Sequence, residues 1–445
     1  MGAPLPPSRQ LKVAIIGGGP AGLAVAIELG KLDFVDWKLY EKKPAISEIG
    51  TGITIQRNTW RMLELMGAAR NLSAGDFFRP ESGHETQHRN GRTGQLIGQQ
   101  RPRADTPLHR HPCRVYRAKL QQALLKEVDH SRIRVGRKLV RVSRLGDENE
   151  KLQLFFEDGF TDEVDILVGA DGIRSVVRNF AFPEHRIKYT GAIAYRTVVR
   201  RDEAMKINGL VPVATFWHGT DGKWIYTCPL DEHDFEITTR AKSPATAPAG
   251  DEKGGEHVSW GRDAPVEGFV QFYREMASPI RQLLGLATYV QRFDHFAGPC
   301  LRSVVTASIA LVGDASHPLS GAFGAGAGFA LEDAYVLAGA LRWARGSGRP
   351  ASGGLDLFDK ARTPHYAALF GLLDESAQAE REMAARGPVT PDDEIRHRVE
   401  NSFTSGRDWV YVYEADTALK ELIEEVEGRS NTLSSAEPSA SSAKL

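Results

Sequence analysis

The sequence predicts an α/β protein that begins with a Rossmann-type βαβ unit, continues into a β-rich lobe and ends in a helical part. The βαβ unit is indicated by an apolar run at Lys12–Ile16, a helical pattern at Ala21–Leu29 and a second strand at Trp37–Glu41. Between Tyr189 and Thr239 the pattern changes to short β-rich segments, which predict an antiparallel sheet in a separate lobe. Helical periodicity dominates from about Ala327 onward.

Composition excludes several classes of protein. At 445 residues the chain is long enough for two or three domains, or for one large discontinuous domain. The 56 Lys and Arg residues are balanced by 57 acids, so there is no electrostatic case for nucleic acid or an anionic membrane as a partner. No apolar run approaches the roughly 20 residues of a membrane span. The 3 widely spaced cysteines provide neither a disulfide framework nor a metal site, and we expect none.

The first motif is Gly17-Gly18-Gly19-Pro20-Ala21-Gly22, between the first strand and the first helix. In this pattern Gly17 permits a tight turn, Gly19 lets a pyrophosphate approach the backbone, and Gly22 allows the helix to pack closely on the strand. Glu41 ends the next strand, where a carboxylate can accept hydrogen bonds from a ribose diol and would repel a 2′-phosphate. The motif therefore predicts FAD or NAD rather than NADP.

Two later motifs add specificity. A strand predicted at Phe160–Val168 leads into Asp171-Gly172, and a strand at Ala307–Val312 leads into Gly313-Asp314. With the glycine motif, this ordered set resembles the single-component FAD-dependent aromatic hydroxylases (group A flavoprotein monooxygenases), particularly fungal salicylate hydroxylase-like members. The resemblance covers residues 11–338 most strongly. It implies a Rossmann-type FAD-binding domain of the GR2/PHBH-like kind with an inserted β-sheet substrate lobe.

The resemblance implies one non-covalent FAD, with NADH or NADPH as a transient co-substrate. In similar enzymes the backbone at Thr54 lies against the isoalloxazine, Arg117 contacts phosphate and ribose, and Asp171 serves both FAD and nicotinamide. Asp314 would bind the ribityl hydroxyls, and the helix at Ala327 would direct its positive end at the pyrimidine edge. The implied FAD-binding residues are Gly17, Gly19, Gly22, Glu41, Thr54, Arg117, Asp171, Asp314 and Ala327. Asp314 could instead cap a helix, Arg117 could be solvated, and Asp171 could belong to a surface turn.

The chemistry that the resemblance implies is hydroxylation of a phenolic substrate. NAD(P)H reduces FAD, O2 forms a flavin C4a-hydroperoxide, and a nucleophilic ring carbon takes the distal oxygen. Arg196 matches a family arginine that faces the flavin from the substrate sheet, although a solvated sheet face is the alternative. Cys228 stands where dearomatising relatives carry a tyrosine, so Tyr226, on the same face, is the candidate for supplying a hydroxyl. Tyr226 could equally pack the sheet against a helix.

Other functions remain open at this point. A hydroxylase or epoxidase of a non-aromatic terpenoid or alkaloid shares these motifs. A flavin-dependent halogenase would need a Trp-x-Trp-x-Ile-Pro type segment, and the sequence has no such segment. A non-catalytic FAD-fold protein would be expected to lose Asp314 or the Arg117 region, and neither is lost. His317 could be taken for a base but lies inside a structural motif. The predicted partners are an aromatic small molecule and O2, in a monomer or homodimer with no membrane span.

The motifs also predict domain bounds and a location. We expect an FAD-binding domain at 8–80, 107–185 and 296–345, and a substrate lobe at 81–106 and 186–295. A helical part is expected at 346–427 and a disordered tail at 428–445. The polar N-terminus and the unpaired cysteines predict a cytoplasmic protein. The C-terminal Ala443-Lys444-Leu445 resembles a Ser-Lys-Leu peroxisomal address, so peroxisomal import is the alternative.

Overall fold

The computed structural model describes residues 10–47, 50–80, 83, 85–145, 151–243, 261–319, 324–386, 390–403 and 409–434. The strands within them are β1 (Leu11–Ile16), β2 (Val35–Tyr40), β3 (Gly52–Ile55), β4 (Phe77–Phe78), β5 (Thr86–Asn90), β6 (Leu96–Gln100), β7 (Cys113–Tyr116), β8 (Ile133–Arg134), β9 (Leu139–Leu145), β10 (Lys151–Phe156), β11 (Thr161–Val164), β12 (Ile166–Gly169), β13 (Lys188–Arg200), β14 (Ala214–His218), β15 (Trp224–Pro229), β16 (Asp234–Lys242), β17 (Arg262–Asp263), β18 (Gln291–Ala297), β19 (Val305–Thr306) and β20 (Ile309–Leu311). The helices are α1 (Pro20–Gly30), α2 (Arg57–Met66), α3 (Arg117–Leu125), α4 (Val176–Ala181), α5 (Arg201–Ala204), α6 (Val266–Gln271), α7 (Ser278–Leu284), α8 (Gly326–Gly346), α9 (Ala351–Ala385), α10 (Pro391–Phe403), α11 (Trp409–Val412) and α12 (Ala415–Ser434).

A six-stranded sheet, in the order β19-β20-β12-β1-β2-β8, forms the Rossmann-type part of the fold. Its central pairs are parallel, and β19 joins one edge antiparallel. Strand β1 is buried along most of its length because α1 packs on β1 and β2, and apolar runs of this kind are typical of parallel strands. Pro20 starts α1 at a position where its missing N–H costs nothing. The predicted α/β class and its Rossmann-type unit are confirmed.

Two small antiparallel sheets flank this core, in the orders β11-β10-β9 and β3-β7-β4. One prediction is corrected here, because the single strand expected at Phe160–Val168 is in fact two strands in different sheets. They are separated at Asp165, whose carboxylate accepts a hydrogen bond from the backbone N–H of Lys12. That bond anchors the start of β12 beside β1.

The remaining sheet has eight strands, in the order β17-β18-β13-β16-β15-β14-β5-β6. Its neighbouring strands run antiparallel except β14 and β5, which are parallel. The long stretch of chain between β5 and β14 provides the crossover that a parallel pair needs. One face packs against α6 and α7 through a second hydrophobic cluster that includes Ile193, Ile237 and Phe269. These two helices are short and separate, and Pro279 lies in the first turn of α7, where a proline is tolerated.

The C-terminal part is helical, as predicted, but two of its limits were wrong. The helical part expected from 346 begins with α9 at Ala351, because α8 continues to Gly346. The prediction of a disordered tail from 428 is wrong for its first residues, because α12 continues to Ser434, and residues 435–445 lie outside the described residues. This helix packs on the core through Leu419, Leu422, Ile423 and Val426, a spacing that keeps one face against α8. The tripeptide Ala443-Lys444-Leu445 lies outside the described residues, and none of the described helices is long and apolar enough to cross a membrane.

Candidate active site

The glycine turn after β1 is shaped to leave its backbone open. Gly17 has a φ of +111°, and a Cβ there would lie 2.3 Å from the carbonyl oxygen of Ala170. A Cβ on Gly22 would lie 1.9 Å from the carbonyl oxygen of Gly17, so α1 packs directly on the turn. At Gly19, by contrast, nothing lies within 4 Å of the Cβ position. Two glycines therefore permit close packing, and the third leaves room for a phosphate group at the helix start.

Glu41 is held against the same turn. One carboxylate oxygen, Oε2, accepts a hydrogen bond from the N–H of Gly18 (2.7 Å), and Oε1 accepts one from the N–H of Lys43 (2.8 Å). The Gln121 side chain of α3 donates to the carbonyl oxygen of Gly18 (3.0 Å). These contacts fix the carboxylate at the end of β2, beside the turn where a dinucleotide's ribose would lie. A carboxylate oxygen has more than one acceptor site, so a ribose diol can still bond to it.

Asp171 follows β12 and faces the glycine turn. Its Oδ2 accepts hydrogen bonds from the N–H groups of Val176 (2.7 Å) and Val177 (3.2 Å) at the start of α4. Its Oδ1 is buried and has no hydrogen-bond partner in the described part of the chain. Burial raises the pKa of this carboxyl. A buried polar atom without a partner is costly, so the arrangement fits a polar ligand that completes the bonding.

Asp314 lies in a short 3-10 turn, Gly313–Ala315, directly after β20. Its side chain is exposed, and a Cβ on Gly326 would lie 3.7 Å from its Oδ1. Gly326 and Ala327 form the first turn of α8, so an exposed carboxylate and a helix N-terminus share one small region. Arg178 donates to the carbonyl oxygens of Asp314 and Ala315 and holds this turn in place.

These residues meet because their strands are parallel. β1, β2, β12 and β20 all point their carboxyl ends to one edge of the sheet. The glycine turn, Glu41, Asp171 and Asp314 follow those four strands in turn, and ligands of open α/β sheets bind at this edge. The predicted dinucleotide residues of this group are therefore brought together.

Thr54 and Arg117 belong to the neighbouring β3-β7-β4 sheet. Thr54 pairs with Arg114 across β3 and β7, and its hydroxyl accepts a hydrogen bond from Nη1 of Arg114 (2.8 Å). Arg117 is the first residue of α3, and its backbone N–H donates to the carbonyl oxygen of Thr51 (3.3 Å). The two residues thus lie at one small strand pair, with Arg117 beside the segment that leads into β3.

Arg196 and Tyr226 lie on the face of the eight-stranded sheet that is opposite to α6 and α7. Arg196 pairs with Thr238, and Thr238 pairs with Tyr226, so all three side chains share this face. The Arg196 guanidinium stacks over the ring of Phe293 at 5.0 Å. Tyr226 is buried in a cluster with Ala214 and Cys228, and not on the helix-covered face that the packing alternative required.

The family described as FAD binding domain matches residues 10–371. The chain belongs to this family. It is 30% identical to the 6-methylsalicylate 1-monooxygenase atA of Aspergillus terreus, over 77% of this chain and 78% of that protein. It is 28% identical to a salicylate hydroxylase of Pseudomonas putida, over 92% of this chain and 94% of that protein.

A solved structure of salicylate hydroxylase in a substrate complex has the same fold, with a TM-score of 0.75 at 22% identity over 93% of this chain and 98% of that one. Together the family and its named relatives make this protein an FAD-dependent monooxygenase of the salicylate hydroxylase-like group. The resemblance inferred from the three motifs is confirmed.

A buried charge network behind the monooxygenase's Asp314 turn was missed by the sequence reasoning. Asp333 of α8 accepts hydrogen bonds from the N–H of Gly313 (2.9 Å), from His317 Nε2 (3.0 Å) and from Arg362 Nε (2.8 Å). Glu332 accepts from Arg362 Nη2 (2.9 Å). Burial raises the pKa of Glu332 to about 7, whereas the charges of Arg362 and His317 outweigh burial and lower the pKa of Asp333 to about 2. His317 thus holds the turn and lies fully buried.

A second missed feature joins the small β3-β7-β4 sheet of the monooxygenase to its eight-stranded sheet. Arg114 of β7 donates from Nε and Nη2 to the two carboxylate oxygens of Glu236 on β16, at 2.7 and 2.9 Å. Glu236 is fully buried and also accepts from the hydroxyl of Thr238 (2.9 Å) and the N–H of Gly52 (3.2 Å). The sequence signal was present, since Glu236 interrupts the apolar residues of a β-rich segment and Arg114 alternates with the buried Cys113 and Val115.

Proposed function

We propose that this monooxygenase uses NAD(P)H and O2 to hydroxylate a phenolic small molecule of the salicylate- or orsellinate-like kind, such as a polyketide-derived aromatic. One observation carries the proposal. Arg196 lies on the sheet face that the β3–β7 strand pair of the FAD-binding part approaches, and it shares that face with Tyr226. A guanidinium next to the flavin side of a substrate sheet suits an anionic aromatic ligand.

FAD would be held by the residues at the edge of the parallel sheet and beside β3. The glycine turn would take the pyrophosphate, Glu41 the ribose, and Asp314 the ribityl hydroxyls. Asp171, with its buried Oδ1, would bond a polar group of the dinucleotide or of the nicotinamide. Thr54, Arg117 and Ala327 would border the flavin and its phosphates. The orphaned Oδ1 and the open backbone at Gly19 both fit this ligand.

FAD, once reduced, supplies the activation of O2, and the chain's own residues prepare the substrate. A phenol becomes a good nucleophile when it loses its proton, which for an unperturbed phenol happens near pH 10. The positive charge of Arg196 close to the phenol would lower that pKa by about 1–3 units. Burial raises the pKa of Tyr226, so its hydroxyl keeps its proton and can donate a hydrogen bond to the phenolate.

We also propose that the domains follow the predicted division. The six-stranded sheet and the β3-β7-β4 sheet would belong to the FAD-binding domain. The eight-stranded sheet, to which the early strands β5 and β6 contribute, would form the substrate lobe. The C-terminal helices would form the third part, packed on α8.

The test is NADH and NADPH oxidation by the purified yellow enzyme against a panel of phenols, phenolic acids, terpenoids and alkaloids. Peroxide is measured in parallel, because a true substrate couples reductant use to hydroxylated product and a mere effector releases peroxide. Coupled turnover of a phenol is the expected result. Coupled turnover limited to non-aromatic compounds would establish the alternative, a terpenoid or alkaloid hydroxylase.

A further inference from the structure

Helices α9 and α10 connect α8 to the eight-stranded sheet. In its first half α9 packs on α8, and Leu355, Phe358 and Leu369 belong to the main hydrophobic core. Near its end α9 carries Glu380, whose carboxylate bonds to Arg398 of α10. α10 lies against β5 and β6, at one edge of the eight-stranded sheet. The two helices therefore form a strap that reaches from one main part of the fold to the other.

Arg398 is the centre of the contact between the strap and the sheet. Its side chain is 7% exposed, and its Nε and Nη2 donate to the two carboxylate oxygens of Glu380, at 2.6 and 3.3 Å. Its Nη1 lies 3.0 Å from Oε1 of Glu394 and 3.4 Å from the carbonyl oxygen of Gly219, at the end of β14. One guanidinium thus ties α9, α10 and the turn between β14 and β15 together.

Two acids of α10 hold turns at the same end of the sheet. Oε1 of Glu394 accepts a hydrogen bond from the N–H of Asp221 (2.9 Å), which lies in the turn between β14 and β15. Asp221 has a φ of +56°, a conformation that few residues other than glycine adopt, so this turn is tight and well defined. Asp392 accepts a hydrogen bond from the side chain of Asn90 (3.0 Å) at the end of β5. The sheet cannot move away from α10 without breaking these bonds.

The turn that α10 holds leads directly into the substrate face. β15 begins at Trp224 and carries Tyr226 on the same face. Arg240 of β16 pairs with Trp224, so its side chain also lies on this face. Burial lowers the pKa of Arg240, and the nearby charge of Glu380 opposes that shift. The end of α9 is therefore close enough to act on side chains of the substrate face.

The other half of α9 bears on the turn that is proposed to bind flavin. Arg362 donates to Asp333, and Asp333 accepts the hydrogen bond from the N–H of Gly313, next to Asp314. Glu380 lies about 27 Å further along the same continuous helix, at 1.5 Å per residue. A single helix thus joins the proposed flavin turn to the sheet that carries the proposed substrate residues.

We propose that Arg398 is a positioning residue, which keeps the substrate sheet at the distance from the flavin that oxygen transfer requires. This role rests on the proposed function, which places flavin and substrate at the two ends of α9. Reacting atoms must approach to about 3–3.5 Å, and a misplacement of about 1 Å is costly. Without Arg398, the carboxylates of Glu380 and Glu394 would lose the cation that they share, and the turn at 219–223 would be released from the strap.

The consequence concerns the fate of the oxygen. In coupled turnover NAD(P)H, a proton, O2 and the phenol give NAD(P)+, the hydroxylated phenol and water. In uncoupled turnover the same reductant, proton and O2 give NAD(P)+ and H2O2, and the phenol is unchanged. A substrate sheet that is displaced from the flavin should therefore shift turnover from the first outcome to the second.

The probes are salicylate and orsellinate, and the measured quantity is the fraction of oxidised NAD(P)H that the FAD-loaded enzyme converts to H2O2. Arg398→Met should raise this fraction at least about threefold while flavin content stays unchanged, because the sheet is displaced but no residue proposed to bind FAD is altered. Glu380→Gln weakens the same contact from the other side and should raise the fraction too. The double variant should exceed the larger single effect by little, because both changes break one contact. Arg396→Met is the matched control and should leave the fraction unchanged, because Arg396 lies on the same helix with an exposed side chain.

The outcomes separate the positioning role from the proposed function. An unchanged H2O2 fraction in flavin-loaded Arg398→Met overturns the positioning role, and Glu380→Gln decides in the same way if Arg398→Met fails to fold. An equal rise in Arg396→Met, or a rise that only parallels loss of flavin, also overturns it. In these cases coupled turnover by the wild type leaves the proposed function standing. Wild-type enzyme that couples with neither probe overturns the proposed substrate class, and the positioning role with it.

Discussion

Replacing Arg362 with methionine should destabilise the monooxygenase more than replacing the less deeply buried Arg398 does. Arg362 is fully buried and donates to Asp333 and Glu332, which are adjacent on α8 and equally buried. Methionine fills much of the space but leaves two neighbouring carboxylates without their cation. Breaking a buried pair in this way costs about 3–5 kcal/mol of unfolding free energy.

The pH dependence of the unfolding free energy should show that the unpaired carboxylates cause the loss of stability in Arg362→Met. Without Arg362, the folded-state pKa values of Glu332 and Asp333 rise above their unfolded values. The folded protein then binds protons that the unfolded chain does not, so the deficit is largest at pH 8 and shrinks as the pH falls towards 5.5. Chemical denaturation of the FAD-free protein at both pH values measures this. Flavin retention should fall too, because Asp333 bonds the N–H of Gly313 next to Asp314.

The matched control is Arg398→Met. Arg398 is nearly as buried, but its partners Glu380 and Glu394 are 35% and 23% exposed and can be rehydrated. Its loss should therefore cost at most about 2 kcal/mol, with little dependence on pH in this range. A deficit in Arg362→Met that equals the control's, or one that stays constant between pH 8 and pH 5.5, would refute the reasoning.

Three further outcomes are expected. Asp314→Ala should lower flavin content but leave the unfolding temperature of the FAD-free protein unchanged, because the Asp314 side chain is exposed. His317→Ala should chiefly lower that unfolding temperature, because His317 is buried. Equal flavin content in the two purified variants would contradict this assignment. Arg196→Ala should keep FAD but cut phenol-stimulated NAD(P)H oxidation at least about tenfold, which corresponds to roughly 1.4 kcal/mol of lost transition-state stabilisation. Tyr226→Phe should lose less of this activity. An Arg196→Ala defect confined to flavin loss would count against the role of Arg196. The folded-state pKa of His88 is about 4, below its unfolded value of 6.5, so wild-type stability should fall as the pH drops from 6.5 to 4. His88→Gln should flatten that slope by about 1.4 kcal/mol per pH unit, and parallel slopes would reject the effect.

The parts of the fold that the sequence predicted are those with local signals. Gly17, Gly19 and Gly22 mark a turn whose shape is set by the absence of a Cβ, and Asp171 and Asp314 directly follow apolar strands. Each signal lies within a few residues, and parallel pairing then brings them to one edge without further information. The limits predicted at 346 and 428 were misplaced because the glycines at these positions are weak helix formers, yet α8 includes Gly346 and α12 continues past Gly428 to Ser434.

The ion pairs of Arg114 and Arg362 were not predicted, because their partners are distant in the sequence. Arg114 and Glu236 are separated by more than a hundred residues, and Arg362 by about thirty from its partners on α8. No local pattern distinguishes a solvated Arg from one that pairs with a distant element of the fold. An acid among apolar neighbours, as at Glu332 and Glu236, does indicate that the acid is buried.

Buried ion pairs are poor explanations of stability, because well-packed apolar residues often do as well in the same place. In this monooxygenase the location of the buried ion pairs says more about their role than their contribution to stability does. The Arg362 network holds the turn that carries Asp314, and the Arg114–Glu236 pair joins the strand beside Thr54 to the strand between Arg196 and Tyr226. Each pair fixes residues proposed to touch flavin or substrate at a point where two layers of the fold meet. An apolar replacement could match the packing there, but it could not accept the hydrogen bond that the N–H of Gly313 donates to Asp333.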